Sequence, residues 1–381
     1  MTLNANWSYP TAIRFGAGRM TELAEACQSA GIKKPLLVTD RGLAELEITH
    51  QALKVLTDAG LNAAVFADVD PNPSDVNVEA GVKTYRDGGY DGVVAFGGGS
   101  GLDLGKAVAF MAGQNRPLWD FEDIGDWWTR ANADAIAPVI AVPTTAGTGS
   151  EVGRASVILN TDLAEKKIIF HPKMLPVTVI CDPQLTVGMP PFITAGTGLD
   201  AFAHCVEAYS SLHYHPMSHG IALEGMRLVK DNLPLVYKNP NDLDARANMM
   251  SAAAMGATAF QKGLGAIHAL SHPIGAQHHT HHGTTNAVCM PAVLQFNAPQ
   301  IRERFTYVAA YLSIDGGFDG FCEFVDQFND TFAIPKTLSG IGVDNPDIDA
   351  LVEMALRDPS VGGNPIAMTQ ANTRALFEAV L

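Results

Sequence analysis

Through the first half of the chain, short and largely apolar runs alternate with stretches of helical character. Residues 35–39 (PLLVT), 62–66 (NAAVF), 91–96 (DGVVAF) and 138–142 (PVIAV) each predict a buried strand. Between them, residues 21–30 predict a short amphipathic helix beginning at Thr21, and a second helical stretch runs to about Ala59. Residues 71–74 (PNPS) predict a turn whose Ser74 caps the helix that follows. Strand–helix alternation of this kind builds a parallel sheet with helices on both faces, and such sheets bind ligands at the carboxyl ends of their strands. Two of the strands end on distinctive turns: Phe96 runs into Gly97, Gly98, Gly99 and Ser100, and Val142 into PTTAGTGS (143–150). Beyond DPQLTVGMPP (182–191) the strand signals fade. Helical periodicity then dominates residues 194–209, 217–233, 243–259, 265–270, 301–311, 320–328, 347–357 and 369–379. The pattern predicts an α/β domain with a parallel sheet over residues 1–187 and an all-α domain over residues 188–381.

Composition narrows the class. With 381 residues, 47% hydrophobic and 17% charged, the chain has ample material for two cores. A net charge of −15 argues against nucleic acid or an anionic membrane as partner. The five cysteines (Cys27, Cys181, Cys205, Cys289, Cys322) are scattered, odd in number and form no CxxC, which fits reduced thiols in a cytoplasm. No basic-then-apolar signal pattern opens the chain, and no run of about 18 apolar residues occurs.

Candidate chemistry concentrates in GLGAIHALSHPIGAQHHTHHG (263–283). Six of the twelve histidines (His268, His272, His278, His279, His281, His282) fall within fifteen consecutive residues there. Imidazole suits borderline transition metals and proton transfer near neutrality. The segment before Pro273 reads as helix, which the proline ends or kinks, so His268 and His272 share a helical face. Upstream, Asp200 and His204 have the same i, i+4 spacing in GLDAFAHCVEA (198–208). A carboxylate flanked by Leu199, Ala201 and Phe202 is expensive to bury unless a cation compensates it. One carboxylate and three imidazoles form a reasonable shell for Fe²⁺ or Zn²⁺. The bland alternatives are a solvated polar loop, a helix cap or a hydrogen-bonded core histidine; the two segments taken together favour the metal.

The glycine turn and the threonine turn offer free N–H groups and hydroxyls, a geometry suited to a diphosphate, although GGGS is not the GxGxxG fingerprint. Asp40, directly after the strand at 35–39, is placed to accept both ribose hydroxyls of NAD and to repel a 2′-phosphate; it is also a candidate helix N-cap.

These segments, GGGSGLDLGKA (97–107), PTTAGTGSEV (143–152), GLDAFAHCVEA (198–208) and HALSHPIGAQHHTHHG (268–283), resemble the iron-containing (group III) alcohol dehydrogenases, and the likeness extends over nearly the whole chain. The resemblance implies a dehydroquinate synthase-like fold and NAD-dependent, metal-dependent interconversion of a small alcohol with its aldehyde or ketone. It implies metal ligands Asp200, His204, His268 and His282, with Fe²⁺ as the metal and Zn²⁺ or another divalent ion as a substitute. It places the cofactor pyrophosphate on Gly97, Gly98, Gly99 and Ser100, with Asp103 and Lys106 near this site. Thr144, Thr145 and Thr148 would lie along the cofactor and Lys166 near its ribose. His272 matches a non-ligand histidine near the substrate and is the candidate for proton relay or substrate orientation. Relatives commonly form homodimers. One departure is His281, where relatives often carry proline; His281 or His278 would then compete with His282 for metal.

Two other readings remain open. One is a zinc-dependent polyol dehydrogenase or dehydroquinate synthase-like enzyme with three protein ligands; the other is a non-catalytic metal- or nucleotide-binding module. His282 and the 143–152 segment favour the alcohol dehydrogenase reading over the first of these, and the presence of both a cofactor loop and a metal shell in one chain disfavours the second. Asp120, Phe121, Trp127, Trp128 and Arg154 are the residues considered for substrate contact, and an arginine beside the pocket would favour a hydroxy acid or its semialdehyde.

Overall fold

The apolar runs of the first half form the interior of a parallel sheet. The computed structural model describes Tyr9 and residues 11–381; the reading of the first eight residues as lacking a signal pattern lies outside the described residues. Two compact units result, Tyr9–Gly188 and Met189–Leu381.

In the first unit the chain runs β1 (Ala12–Phe15), α1 (Leu23–Ser29), β2 (Pro35–Val38), α2 (Glu47–Asp58), β3 (Ala64–Phe66), α3 (Asp75–Gly88), β4 (Gly92–Gly97), α4 (Gly99–Met111), β5 (Val139–Pro143), β6 (Ala155–Asn160), β7 (Glu165–Phe170) and β8 (Thr178–Cys181). Six strands form one sheet in the order β1-β8-β5-β4-β2-β3, every neighbouring pair parallel. Alternate side chains go to opposite faces. Leu37, Val94, Phe96, Ile140, Val142 and Ile180 pack with Leu23 and Ala26 of α1 and Ala52 and Leu56 of α2. On the other face Gly105 of α4 lies against Ala95 and Val93. With both faces covered, β2, β4 and β5 are buried at every position, which is why they read as unbroken apolar runs.

The order places β2 beside β4 while the chain reaches β4 only after crossing to β3 and back. Connections leave β2 and β4 in opposite directions, so a crevice opens at their carboxyl ends. Helix α4 starts there in tight contact with its strand. A Cβ on Gly101 would stand 2.7 Å from the Phe96 carbonyl oxygen. Gly101→Ala is therefore expected to lower stability by about 1–3 kcal/mol through forced backbone displacement. The midpoint of a urea unfolding curve measures this, and an unshifted midpoint would show that the contact relaxes freely.

Four strands escape the sequence reading. β1 is an edge strand whose exposed ends interrupt the apolar signal, and β8 is short. β6 and β7 form a separate antiparallel hairpin, half-buried, with Ala155 opposite Phe170.

The second unit is helical: α5 (Pro191–Ser210), α6 (Pro216–Lys238), α7 (Leu243–Ala259), α8 (Ala266–His278), α9 (His282–Tyr311), α10 (Gly317–Thr331), α11 (Ile348–Arg357) and α12 (Gln370–Val380). Two expectations need correction. Helix α8 continues through Pro273 to His278; burial of Ile274, Gly275 and Ala276 offsets the hydrogen bond that the proline removes. Helix α9 spans 30 residues and includes Pro291 and Pro299, where the sequence predicts helix only from Ile301. Its buried stripe of Ala287, Val288, Cys289, Met290, Val293 and Leu294 outweighs local propensity. All five cysteines are free thiols. Among the described residues no helix is long and apolar enough to cross a membrane.

Candidate metal centre and cofactor turn

Three helices of the second unit converge on one carboxylate oxygen. Asp200 and His204 occupy one face of α5, His268 the first turn of α8, and His282 the first residue of α9. Asp200 Oδ1 lies 3.6 Å from His204 Nε2, 3.7 Å from His268 Nε2 and 3.5 Å from His282 Nε2. The His204 and His268 rings stack, with centroids 4.8 Å apart, and the His282 ring lies 5.2 Å from that of His268. Asp200, His204 and His268 are buried.

Close helix contact makes this possible. A Cβ on Gly283 would lie 2.0 Å from the Gly196 carbonyl oxygen and 2.9 Å from Asp200 Cβ. The residue after His282 must be glycine for α9 to come this near to α5.

The electrostatics of the cluster suit a cation. Burial alone would raise the Asp200 carboxyl; the facing His204, His282 and His268 more than reverse this and hold it well below the ordinary carboxylate range. Burial pushes His204 down to about 4. Burial would also lower His268, but Glu207 and Asp200 raise it to about 10. A protonated His268 between Glu207 and Asp200 puts positive charge where a divalent ion would serve better. The Asn286 amide nitrogen marks the same point: it lies 2.8 Å from Asp200 Oδ1 and 3.2 Å from Nε2 of both His268 and His282. His204 Nδ1 is buried with no hydrogen-bond partner among the described residues. One carboxylate with three imidazole nitrogens fits Fe²⁺, Zn²⁺ and related ions.

Three supporting residues went unassigned in the sequence reading. Glu207, two turns beyond Asp200 on α5, accepts His268 Nδ1–H at 2.5 Å and the backbone N–H groups of Ile267 at 2.6 Å and His268 at 3.4 Å. It therefore orients a ligand ring and satisfies the amino-terminal turn of α8 together. Its i+7 spacing from Asp200 was the available signal. Asn286 stands four residues after His282, again on one helical face. Asp358, which accepts from His272 Nδ1 at 2.7 Å, is separated from it by 86 residues and carries no sequence signal.

His279 and His281 have other occupations. His279 takes the left-handed conformation (φ 54°) that closes α8. His281 Nδ1 accepts the Thr284 N–H at 3.3 Å and caps α9, its ring against Gly196. That use of Nδ1 weighs against His281 as a competing ligand. His278 is the last residue of α8.

In the first unit the crevice between β2 and β4 gathers most of the predicted cofactor residues. Asp40 follows β2, and its Oδ2 lies 3.6 Å from where a Gly97 Cβ would stand. Its Oδ1 accepts the Leu43 N–H at 3.0 Å within the turn after β2, while α2 begins only at Glu47 with Leu46 at its N-cap, so Asp40 caps a turn and not a helix, and its Oδ2 stays available to a ligand. Thr145 and Thr148 side chains rest against Gly98 and Gly99, and Thr144 N–H bonds the Gly97 carbonyl at 2.9 Å. Ser100 and Asp103 bond to neighbouring segments of the same unit. Ser100 Oγ donates to the Pro71 carbonyl at 2.6 Å, while Asp103 accepts from Ser150 Oγ at 2.5 Å and Val157 N–H at 3.0 Å. The buried Lys106 ammonium binds the Ser150 and Ala155 carbonyls and lies 3.4 Å from Asp103. Lys166 sits on β7, opposite Leu159 of β6.

The residues considered for substrate contact find local partners. Phe121 is buried edge-on to Phe110, Asp120 pairs with Arg116, and Arg130 covers Trp127. Trp128 packs edge-on against Phe170 and His171, and the Arg154 guanidinium lies 5.4 Å over the Phe170 ring.

A carboxylate–imidazole shell on helices, carried in one chain with a glycine turn at the switch point of a parallel sheet, defines a metal-dependent oxidoreductase. Residues 10–183 match the model of the iron-containing alcohol dehydrogenases, and residues 194–381 that of the Fe-containing alcohol dehydrogenase family, C-terminal. The chain is 38% identical over 380 residues to 4-hydroxybutyrate dehydrogenase of Cupriavidus necator, covering 97% of this chain and 98% of that one. It superposes on a crystal structure of 1,3-propanediol oxidoreductase with a TM-score of 0.93, at 34% identity and 99% coverage of both chains. Sulfoacetaldehyde reductase of Bifidobacterium kashiwanohense in complex with NAD⁺ gives a TM-score of 0.87 at 27% identity, covering 99% of both. The chain belongs to the iron-containing alcohol dehydrogenase family and is an oxidoreductase acting on alcohols.

Proposed function

We propose that this alcohol dehydrogenase uses NAD(H) to interconvert a small alcohol and its aldehyde, with Fe²⁺ held by Asp200, His204, His268 and His282. The observation that carries the reading is the approach of three imidazole Nε2 atoms to one Asp200 oxygen at 3.5–3.7 Å. When bound, the divalent ion supplies Lewis-acid polarisation of the substrate oxygen and the nicotinamide supplies the hydride acceptor. The chain's residues do the rest. Asp200 provides the one negative charge of the shell, and Glu207 holds His268 with Nε2 presented inward. His272, one turn from His268 and outside the four-ligand set, takes the hydroxyl proton in oxidation and returns it in reduction. The glycine turn with Thr144, Thr145 and Thr148 binds the cofactor, in a division of labour between residues 1–187 and 188–381.

Asp40 determines cofactor choice in this reading. Its free oxygen accepts from the adenosine ribose and repels a 2′-phosphate. Asp40→Gly is expected to raise the ratio of kcat/KM for NADP⁺ to that for NAD⁺ by at least about tenfold, the loss of roughly 1.4 kcal/mol of discrimination. An unchanged ratio would remove Asp40 from this role.

Similarity to 4-hydroxybutyrate dehydrogenase supports a hydroxy acid or its semialdehyde among the substrates, beside simple alkanols and diols. The net charge of −15 and scattered free thiols support a cytoplasmic enzyme, and family habit supports a homodimer. Metal analysis of anaerobically purified protein, combined with NADH formation across alkanols, diols and ω-hydroxy acids, tests the whole reading. Stoichiometric metal with no turnover on any of these would refute it.

A further inference from the structure

His272 is held by a group that no ligand or cofactor role accounts for. Its Nδ1 lies 2.7 Å from Asp358 Oδ2, and the pair is largely buried, with side-chain exposures of 12% and 7%. The other Asp358 oxygen, Oδ1, accepts the Ser360 N–H at 2.8 Å, capping the short turn Pro359–Gly363. Burial alone would push this carboxyl up, but His272 and Ser360 bring it below its ordinary value. An ionised carboxylate has no hydrogen to give, so the hydrogen between them belongs to His272 Nδ1. Nε2 then carries a lone pair. Among the described residues no group bonds that atom, while the ring stacks on His282 at 5.4 Å and meets His268 edge-on at 5.6 Å.

We propose that Asp358 is a positioning residue for the dehydrogenase reaction, holding His272 in the Nδ1–H tautomer so that Nε2 can accept the alcohol proton. This rests on the reading of His272 as proton acceptor. In oxidation the substrate O–H bond breaks, oxygen keeps the electron pair, and the proton passes to Nε2. The carbinol carbon gives its hydride to the nicotinamide. The resulting imidazolium faces the Asp358 carboxylate, which compensates its charge without taking the proton. Reduction runs the same transfers backwards.

The local hydrogen bonds make Asp358→Asn an informative change. The Ser360 N–H requires an oxygen at the Oδ1 position. The Asn amide would therefore turn its NH₂ toward His272 Nδ1, forcing that nitrogen to accept and moving the ring hydrogen to Nε2. Shape and burial are kept while the acceptor is lost. Asp358→Asn should lower kcat by about 10²-fold or more, with KM within a few-fold, metal content at the wild-type level and melting temperature nearly unchanged. Asp358→Glu, which restores a carboxylate, should recover part of kcat. A metal-loaded D358N with kcat within a few-fold of wild type overturns the proposal, as does activity lost in proportion to metal.

His272→Asn separates the two readings. If it is unimpaired, His272 is not the acceptor and both fall; if it is impaired while D358N is not, only the role of Asp358 falls. Should D358N fail to fold, ¹⁵N-histidine NMR of the zinc-loaded wild type, assigned by difference with H272N, reads the tautomer directly. A hydrogen on Nδ1 supports the proposal and a hydrogen on Nε2 overturns it.

Discussion

Asp200→Asn is expected to leave the protein folded, unable to hold a divalent ion and without measurable alcohol turnover. Asp200 is the only carboxylate among the four groups, and all three imidazoles lie 3.5–3.7 Å from one of its oxygens. A neutral amide of the same shape still offers an oxygen but withdraws the charge that offsets the ion's desolvation. The change should appear in three measurements together. Metal per chain after anaerobic purification falls to background. Turnover with the best alcohol disappears. The thermal protection that added metal gives the wild type, about 4 kcal/mol at a thousandfold excess over Kd, is also lost. Wild-type metal stoichiometry in this variant would mean that the ion, if there is one, sits elsewhere.

Glu207→Ala is expected to act nearly as strongly without removing any ligand. Three donors lose their acceptor at once: His268 Nδ1–H and the backbone N–H groups of Ile267 and His268. With nothing to hold its ring, His268 is free to rotate and to change tautomer, and metal affinity should fall about 10–100-fold. Buried, unsatisfied donors at the start of α8 should also cost on the order of 3 kcal/mol of stability. Chelator competition measures the first effect and urea unfolding of metal-free protein the second. Glu207→Gln, which keeps one acceptor oxygen, should lie between Ala and wild type in both. Unchanged affinity in the alanine variant would reduce Glu207 to a helix cap.

Legibility differed by the range of the physical signal. The strands at 35–39, 91–96 and 138–142 are readable because burial on both faces keeps their central positions apolar. The pairs Asp200–His204 and His268–His272 were readable because helical periodicity is local. By contrast, β1 shows its exposure pattern only once its edge position is known. The β6–β7 hairpin is half-buried and its mixed composition marks no clear period. The amino-terminal half of α9 was hidden by Pro291, since tertiary burial and not propensity sustains it. The Asp358 partner of His272 depends on the packing of α11 and the following turn onto α8, and no spacing rule spans 86 residues. Glu207 was present in the quoted motif, and only its heptad relation to Asp200 was left unused.

Helix α5 holds Asp200, His204 and Glu207 on consecutive turns, and so behaves as a ruler along which one reaction centre is marked off. A residue inserted between Asp200 and His204 would swing everything downstream by about 100° and advance it by about 1.5 Å. The His204 imidazole and the brace for His268 would leave together. An insertion scan of the chain should therefore find a sharp band of intolerance across the middle of α5. The count of residues from Asp200 to Glu207 is thus one dimension of the chain that the site leaves no freedom to vary.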